Sequence, residues 1–348
     1  EKLGDAWVKK ENYVGNGAYK LANHIINEKI EFERNPLYWN DKETVINSAT
    51  FLAIENPSTD VARYRAGDLD MTNYALPPEQ FAKLQKELPG EVFTTRTLAT
   101  YSYELNNKKA PFDNVNVRKA LNLSLDRNVI TDKVLGQGQT PTYVFTPTYI
   151  EEGHLIQQPA YSKEPMAQRN EEAIKLLEEA GYSKANPLKF SILYNTNENH
   201  KKVAIAAASM WKANTKGLID VKLENQEWKT YIDSRRAGRY DAARAGWNAD
   251  YNQATTFGNY FLSNSSNNTA KYANPEYDKA IAESYVATDA EGRAKAYAKA
   301  EEILAKDFGI VPIFNYVNPR LVKPYVKGYS GKDPQDHIYL RNLYIIKH

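Results

Sequence analysis

Strand-like and helix-like segments alternate regularly in the middle of the chain. PLKFSILYNT predicts a strand, a helix follows from about Lys201 to Lys216, and DVKLENQEW predicts the next strand. The short helix KTYIDSRRAG then leads into the strand YDAARAGW. Because successive strands joined by helices usually lie parallel in one sheet, this order predicts an α/β fold with a substantial parallel sheet.

Length and local pattern indicate two domains. A chain of 348 residues exceeds what one core usually organises. The first part mixes strands with helices, one of which we expect to be capped by Ser58 or Thr59 and closed by Gly67. The β-rich segment EVFTTRTLATYSYELNN is long enough to leave one sheet and enter another, so we place a crossover near residue 98. IVPIFNYVN is a strand that crosses back.

Charge and composition exclude several classes of partner. The chain has 45 basic and 43 acidic residues, which is too balanced for a nucleic-acid-binding or membrane-binding surface. No run approaches the roughly 20 apolar residues of a membrane-spanning helix. Cysteine is absent, so disulfides, thiolate nucleophiles and thiolate metal sites are excluded. We therefore expect small-molecule partners, no nucleic acid and no membrane span.

Motifs of catalysis are missing from the sequence. It has no G-x-S-x-G elbow, no P-loop and no dinucleotide-binding glycine fingerprint. No two histidines have a metal-binding spacing such as H-x-x-x-H. The five histidines are His24, His154, His200, His337 and His348. These absences favour a binding protein over an enzyme, with no metal and no cofactor.

Two opposite charges surround an aromatic residue in ARAGWNADYNQ. Arg244 and Asp250 lie on either side of Gly246 and Trp247. A carboxylate suits a primary ammonium and a guanidinium pairs with a carboxylate, so these residues have the chemistry to grip both ends of a zwitterion. The alternative is a structural salt bridge with partners inside the protein.

Four further residues allow two interpretations each. His200 follows the strand ILYNT in a loop position where α/β sheets bind ligands, and it is either a switchable cation or an idle loop histidine. Arg235 is either another ligand cation or a helix-end charge. Trp228 and Trp247 are either pocket walls or core residues.

The sequence resembles a known family at these residues. The segments ARAGWNADYN, ENQEWKTYIDSR, LYNTNENHKKVAIA, DVARYRAGDLDMT, NNKKAPFDNVNVRKAL and the ending NPRLVKPYVKGYSGKDPQDHIYLRNLYIIKH are similar to the oligopeptide-binding proteins of ABC importers, which are family 5 extracellular solute-binding proteins. The similarity runs from Glu1 to His348. Because members usually have a longer N-terminal part, the chain resembles their C-terminal two-thirds.

The resemblance implies a two-lobed periplasmic-binding-protein-like α/β fold, with mixed sheets and a ligand cleft between the lobes. Residues 1–98 would be part of lobe I, residues 99–315 lobe II, and residues 316–348 a return to lobe I. Some relatives carry a cysteine in each of two segments where this chain has Ala99 and Asn248, which implies the joint loss of a disulfide.

The resemblance also implies roles for nine residues. Asp250 would hold the α-ammonium of a peptide. Arg244 and His200 would receive the C-terminal carboxylate of peptides of different lengths, with Arg235 a weaker candidate. The other implied ligand-binding residues are Trp228, Trp247, Gly246, Asn195 and Tyr316.

From the resemblance we expect a periplasmic, monomeric protein that captures short peptides of about two to five residues with little sequence specificity and delivers them to an ABC permease. It implies no enzymatic activity, cofactor or metal. One alternative is a specialised binder of murein tripeptide or another peptide-like solute. A hydrolase is the alternative from another class.

Overall fold

Strands and helices alternate along most of the chain. The computed structural model describes residues 3–73 and 75–348, so residues 1, 2 and 74 of the predicted first domain lie outside the described residues. The strands are β1 (Tyr19–Ile25), β2 (Lys29–Arg34), β3 (Ser48–Leu52), β4 (Val92–Leu105), β5 (Thr140–Pro141), β6 (Leu188–Asn195), β7 (Ile219–Gln226), β8 (Ala242–Asn248), β9 (Ile310–Leu321), β10 (Val326–Lys327) and β11 (Tyr344–Ile345). The α-helices are α1 (Pro57–Ala66), α2 (Pro78–Glu87), α3 (Val115–Leu123), α4 (Met166–Glu179), α5 (Glu198–Asn214), α6 (Trp228–Arg236), α7 (Thr255–Gly258), α8 (Pro275–Val286) and α9 (Ala290–Lys306).

The chain divides into two compact units. Unit 1 contains Glu1–Thr95 and Asn318–His348, and unit 2 contains Arg96–Val317. The chain leaves unit 1 within β4 and returns to it within β9. The assignment of these units to ligand-binding lobes stays a prediction.

Unit 1 contains a three-stranded antiparallel sheet with the order β1-β2-β3. Helix α1 begins after Asn56, whose side-chain oxygen accepts a hydrogen bond from the backbone N–H of Ser58 at 2.8 Å. The prediction that Ser58 or Thr59 caps this helix is therefore wrong, because Asn56 provides the cap and Pro57 takes the first helical position. The predicted end at Gly67 is confirmed by its left-handed φ of 89°.

Unit 2 is organised by a six-stranded sheet with the order β5-β9-β4-β8-β6-β7. β6 is parallel to β7 and β8, whereas β4 is antiparallel to β8 and β5 to β9. The parallel strands are those joined by α5 and α6, since a parallel pair needs a crossover connection. The predicted α/β class with mixed sheets is confirmed, and the parallel pairing is confirmed for β6, β7 and β8.

The register between β4 and β8 decides which side chains meet. Tyr101 lies opposite Gly246, and Tyr103 lies opposite Arg244. Because alternate residues of a strand point to the same face, these two pairs share one face of the sheet. Ala99 also lies directly opposite Asn248. The two positions at which the resemblance implies a lost disulfide are therefore neighbours across the strands.

Helix α5 begins earlier than the sequence pattern predicts. The side-chain oxygen of Asn197 accepts hydrogen bonds from the backbone N–H groups of Asn199 and His200, at 2.9 and 3.1 Å. This Asn cap starts the helix at Glu198 instead of about Lys201. His200 therefore lies in the first turn of α5, and the prediction that it is a loop residue is wrong.

The main core of unit 2 fixes α5 against the sheet. Trp211 of α5 is fully buried, and its indole N–H donates to the carbonyl oxygen of Leu121 in α3 at 2.9 Å. Its ring lies 5.9 Å from the ring of Tyr103 in β4. Burial of large aromatic side chains contributes strongly to stability. This packing joins α5 to α3 and β4 within the core of unit 2.

Candidate functional site

The site is built from the ends and inner faces of four strands and one helix of unit 2. We use the name Arg244 cluster for a set of side chains contributed by β4, β6, α5, β8 and β9. Its members are Tyr101, Asn195, His200, Arg244 and Tyr316. Four of these five residues were predicted from the sequence to contact a ligand, and the structure brings them together.

Arg244 is the central cation of the cluster. Its guanidinium donates to the hydroxyl of Tyr316 and, at 3.5 Å, to the side-chain oxygen of Asn195. Its Cζ lies 5.2 Å from the ring centre of Tyr101. The buried Nε of Arg244 has no hydrogen-bond partner among the described residues. Among the residues that the structure describes, no carboxylate forms an ion pair with Arg244, so the protein surrounds this charge with neutral groups.

An enclosed cation without an anion is costly. Transfer of a charge out of water is unfavourable unless an opposite charge and hydrogen bonds accompany it. Tyr101 and Tyr103 do not supply that charge, since burial raises the pKa of both phenols above the ordinary tyrosine value. The cluster therefore has the chemistry of a site for an external anion, and a carboxylate matches the guanidinium geometry.

Gly246 provides the space in which Arg244 contacts Tyr316. A Cβ atom at this position would lie 2.9 Å from Nη2 of Arg244 and 2.9 Å from the hydroxyl of Tyr316. Real Cβ atoms do not make such close contacts without a shift of their neighbours. The absence of a side chain at Gly246 is therefore a condition for the observed arrangement.

His200, in the first turn of α5, contacts the ring of Tyr101. Its ring centre is 5.6 Å from that of Tyr101. Burial, and then the nearby positive charge of Arg244, lower the pKa of His200 well below the ordinary value of 6.5. The imidazole is therefore neutral at neutral pH in the absence of a ligand.

Asp250 lies just beyond β8, and its side chain is exposed. Its backbone N–H donates to Oγ1 of Thr256 at 3.1 Å, and that hydroxyl donates to its carboxylate at 3.3 Å. In the described ranges, Asp250 forms no ion pair. The alternative of a structural salt bridge therefore fits neither Asp250 nor Arg244.

Trp247 and Asp250 both form hydrogen bonds with Thr256. Its indole N–H donates to the carbonyl oxygen of Thr256 at 3.0 Å, and its ring makes an edge contact with Tyr260 at 4.8 Å. The ring is only partly buried. Thr256 thus orients both the tryptophan and the carboxylate.

Arg235 belongs to a different network. Its guanidinium donates to both carboxylate oxygens of Glu104, at 3.0 and 2.9 Å, and to the hydroxyl of Tyr260. Although burial lowers its pKa, the Glu104 carboxylate holds the pKa of Arg235 well above its usual value. The guanidinium that was expected to contact a ligand is thus paired with an internal carboxylate.

Trp228 lies on α6, where it is 55% exposed and stacks on Tyr231.

Sequence reasoning missed three residues of this region. Tyr101 faces Gly246 and Tyr103 faces Arg244 across the strands. The hydroxyl of Tyr231 donates a hydrogen bond to the carbonyl oxygen of Arg244. The alternation in TYSYEL was the available signal for the first two. For Tyr231 the sequence carries no signal, because its contact depends on how α6 packs against β8.

In the ranges 3–73 and 75–348, no group of three or more His, Cys, Asp or Glu side chains is placed to hold a metal ion. In the same ranges no helix has both the length and the apolar character needed to cross a membrane.

Comparison with known proteins gives one family. A model described as bacterial extracellular solute-binding proteins, family 5 Middle, matches residues 1–269. The chain is 97% identical, over 348 residues, to the periplasmic oligopeptide-binding protein OppA of Haemophilus influenzae. The alignment covers 100% of this chain and 64% of that relative, so the chain spans about 64% of the length of the curated protein.

Solved structures agree with this match. A crystal structure of Haemophilus influenzae OppA in complex with RPPGFSPFR has a TM-score of 0.96 and 96% identity, covering 99% of this chain and 67% of that one. The murein tripeptide binding protein MppA of Escherichia coli has a TM-score of 0.94 and 43% identity, covering 100% of this chain and 67% of that one.

Proposed function

The chain belongs to family 5 of the bacterial extracellular solute-binding proteins, and we propose from this premise that it captures peptides and delivers them to an ABC permease. The observation that carries the proposal is the enclosed guanidinium of Arg244, which has no carboxylate partner among the described residues. A free peptide C-terminus supplies the missing anion. In this proposal the peptide is bound and released without a chemical reaction.

The fold class and location agree with this function. The fold is the periplasmic-binding-protein-like α/β fold expected from the sequence, as the high TM-scores to solute-binding proteins indicate. The protein is periplasmic, the location given in the name of its Haemophilus influenzae relative. The transported ligand and the permease partner are inferred, because the chain spans only part of the length of that relative.

In the proposal, different residues bind the two ends of the peptide. Arg244 and His200 receive the terminal carboxylate of peptides of different lengths, and Asp250 holds the α-ammonium. Backbone groups are common to all peptides, so a site that reads the two ends and the main chain tolerates many sequences. The peptide RPPGFSPFR in the Haemophilus influenzae complex has nine residues, so we extend the range beyond the two to five residues expected from the sequence.

A specialised binder of murein tripeptide is the second candidate. The similarity to the Escherichia coli murein tripeptide binding protein favours it, although the identity is 43% against 96% for the peptide-bound protein. Native mass spectrometry of the purified protein distinguishes the two functions. A heterogeneous set of bound peptides supports the general peptide binder, whereas a single defined mass supports the specialised one. Loss of added peptide with time would contradict both and indicate a hydrolase.

The Asp250→Ala variant tests how the ligand is held. Removal of the partner of the α-ammonium should weaken trialanine binding by about 2–5 kcal/mol, because a desolvated charge is left unpaired. Titration calorimetry measures this loss. Asp233→Ala removes another exposed acid of unit 2, on α6, and should leave the affinity unchanged. Equal affinity of the Asp250 variant and the native protein would contradict the role of Asp250.

A further inference from the structure

We propose that Glu152 is a positioning residue for peptide binding, which acts through Gln253 on the loop that carries Asp250. We call residues 249–254 the Asp250 loop. In this inference Glu152 holds the loop in the conformation that presents the Asp250 carboxylate to the α-ammonium of the peptide. The inference rests on the proposed function and deepens it, because it adds a residue that acts without contacting the ligand.

The Asp250 loop joins β8 to α7 and contains neither helix nor strand. Asp250 itself is exposed in this loop. A segment without regular structure loses conformational entropy when a ligand fixes it, and this loss weakens binding. Contacts that fix the loop before the peptide binds therefore increase the affinity for the peptide.

Glu152 joins the Asp250 loop to helix α9. Its Oε2 accepts a hydrogen bond from Nε2 of Gln253 at 3.0 Å. Its Oε1 accepts hydrogen bonds from Nε and Nη2 of Arg293 near the start of α9, at 2.8 and 2.6 Å. Helix α9 packs into a core of unit 2 through Tyr297 and Leu304. The two oxygens of one buried carboxylate thus connect the loop to a helix of the core.

Hydrogen bonds continue from Gln253 to Asp250. The carbonyl oxygen of Gln253 accepts a hydrogen bond from the backbone N–H of Thr256 at 3.3 Å. Oγ1 of Thr256 donates to the Asp250 carboxylate at 3.3 Å and accepts from the backbone N–H of Asp250 at 3.1 Å. A displacement of Gln253 therefore changes the position of the carboxylate that the peptide ammonium meets.

The backbone at Glu152 is strained. Its φ of 64° lies in the left-handed region, which is unfavourable for a glutamate. The following residue, Gly153, is closely packed, since a Cβ atom there would lie 2.7 Å from Cγ2 of Ile150 and 2.9 Å from the carbonyl oxygen of Pro147. Strained backbone persists only where the surrounding structure determines it, and it is concentrated at functional sites. The strain at Glu152 therefore supports a functional role for its carboxylate.

Three variants test this role by titration calorimetry with trialanine. Glu152→Gln keeps the shape of the side chain but offers one acceptor oxygen where the carboxylate offers two. Gln253→Leu removes the link to the loop without a change in charge. Each should weaken trialanine binding about three- to tenfold, because the loop is then ordered only when the peptide binds. Glu151→Gln, the same substitution at the exposed neighbour, is the matched control and should leave the affinity unchanged.

A ligand without the α-ammonium separates positioning of Asp250 from general support of the fold. In lactyl-dialanine a hydroxyl group replaces the ammonium of trialanine. If Glu152 acts through Asp250, Glu152→Gln and Gln253→Leu should change the affinity for lactyl-dialanine by less than about twofold. Equal losses for the two ligands, or full trialanine affinity in both variants, overturn the inference.

Hydrogen exchange measures the order of the loop in the absence of a ligand. The backbone amides of the Asp250 loop should exchange at least about threefold faster in Glu152→Gln than in the native protein, whereas those of α5 should be unchanged. Native exchange in the loop of the variant overturns the inference and leaves the peptide-binding function intact. Failure of the native protein to bind trialanine contradicts the proposed function itself.

Discussion

Unit 2 encloses two arginines whose surroundings differ in charge. Arg235 donates two hydrogen bonds to Glu104, and the two side chains are only 13% and 1% exposed. Arg244 donates to Tyr316 and Asn195, which are neutral, and the described residues provide it with no carboxylate. The charge of Arg235 is compensated within the protein, and we propose that a ligand anion compensates the charge of Arg244.

The difference in charge compensation predicts different effects of substitution at the two arginines. A buried ion pair that is intact contributes little net stability relative to apolar residues, but loss of one partner leaves an uncompensated charge and is strongly destabilising. Glu104 also accepts hydrogen bonds from Tyr260, at 2.6 Å, and from Thr269. Arg235 is thus part of a structural network, whereas Arg244 contacts neutral groups among the described residues.

The largest effect is expected at Glu104. Glu104→Gln leaves Arg235 enclosed without its counter-charge and should lower the free energy of unfolding by about 3–5 kcal/mol. Urea denaturation measures this loss. Replacement of the exposed Glu198 by Gln is the control and should change stability little. A loss below about 1 kcal/mol would show that the compensation of Arg235 does not depend on Glu104.

The next effect concerns the space beside Arg244. In Gly246→Ala the new Cβ meets Nη2 of Arg244 and the hydroxyl of Tyr316 at 2.9 Å, so one of them must move. We expect the free energy of unfolding to fall by about 1–3 kcal/mol, the usual range for overpacking, and trialanine affinity to fall as well because Arg244 is displaced. Titration calorimetry measures the loss of affinity. Gly238→Ala is not a suitable control, because Gly238 has a left-handed φ of 68°. Gly15→Ala in unit 1, where a Cβ meets its nearest neighbour at 3.5 Å, is suitable.

The smallest effect is expected on stability at Arg244. Arg244→Met keeps the length of the side chain and removes a charge that the described residues do not compensate. The free energy of unfolding should therefore change by less than about 1 kcal/mol, in contrast to the change at Glu104. Denaturation without peptide measures it. A loss as large as that of Glu104→Gln would remove the distinction between the two arginines.

The sequence indicated both arginines but did not distinguish their roles. DSRRAG and ARAGW each place an arginine near a glycine, and both were predicted to contact a ligand carboxylate. The partner of Arg235 lies 131 residues away along the chain, on β4. A local pattern carries no information about such a contact, because strand order and register bring the residues together.

The local sequence pattern predicted the fold of unit 2 better than it predicted the roles of the two arginines. Alternating apolar residues and helical spacing identified β6, α5, β7, α6 and β8 in the correct order. The start of α5 was misplaced because the cap bond of Asn197 outweighs the periodic pattern at a helix end. The antiparallel pairing of β4 with β8 could not be predicted from the sequence, since pairing between distant segments depends on tertiary packing.

The most direct measurement is a calorimetric cycle that combines Arg244→Met with removal of the ligand's charge. Trialanine and trialanine amide are titrated into the native protein and into the variant. If Arg244 contacts the peptide carboxylate, the variant should lose about 2–4 kcal/mol of affinity for the free acid and far less for the amide. Equal losses for both ligands, or no loss for either, would contradict the proposal that the guanidinium of Arg244 binds the carboxylate end of the peptide.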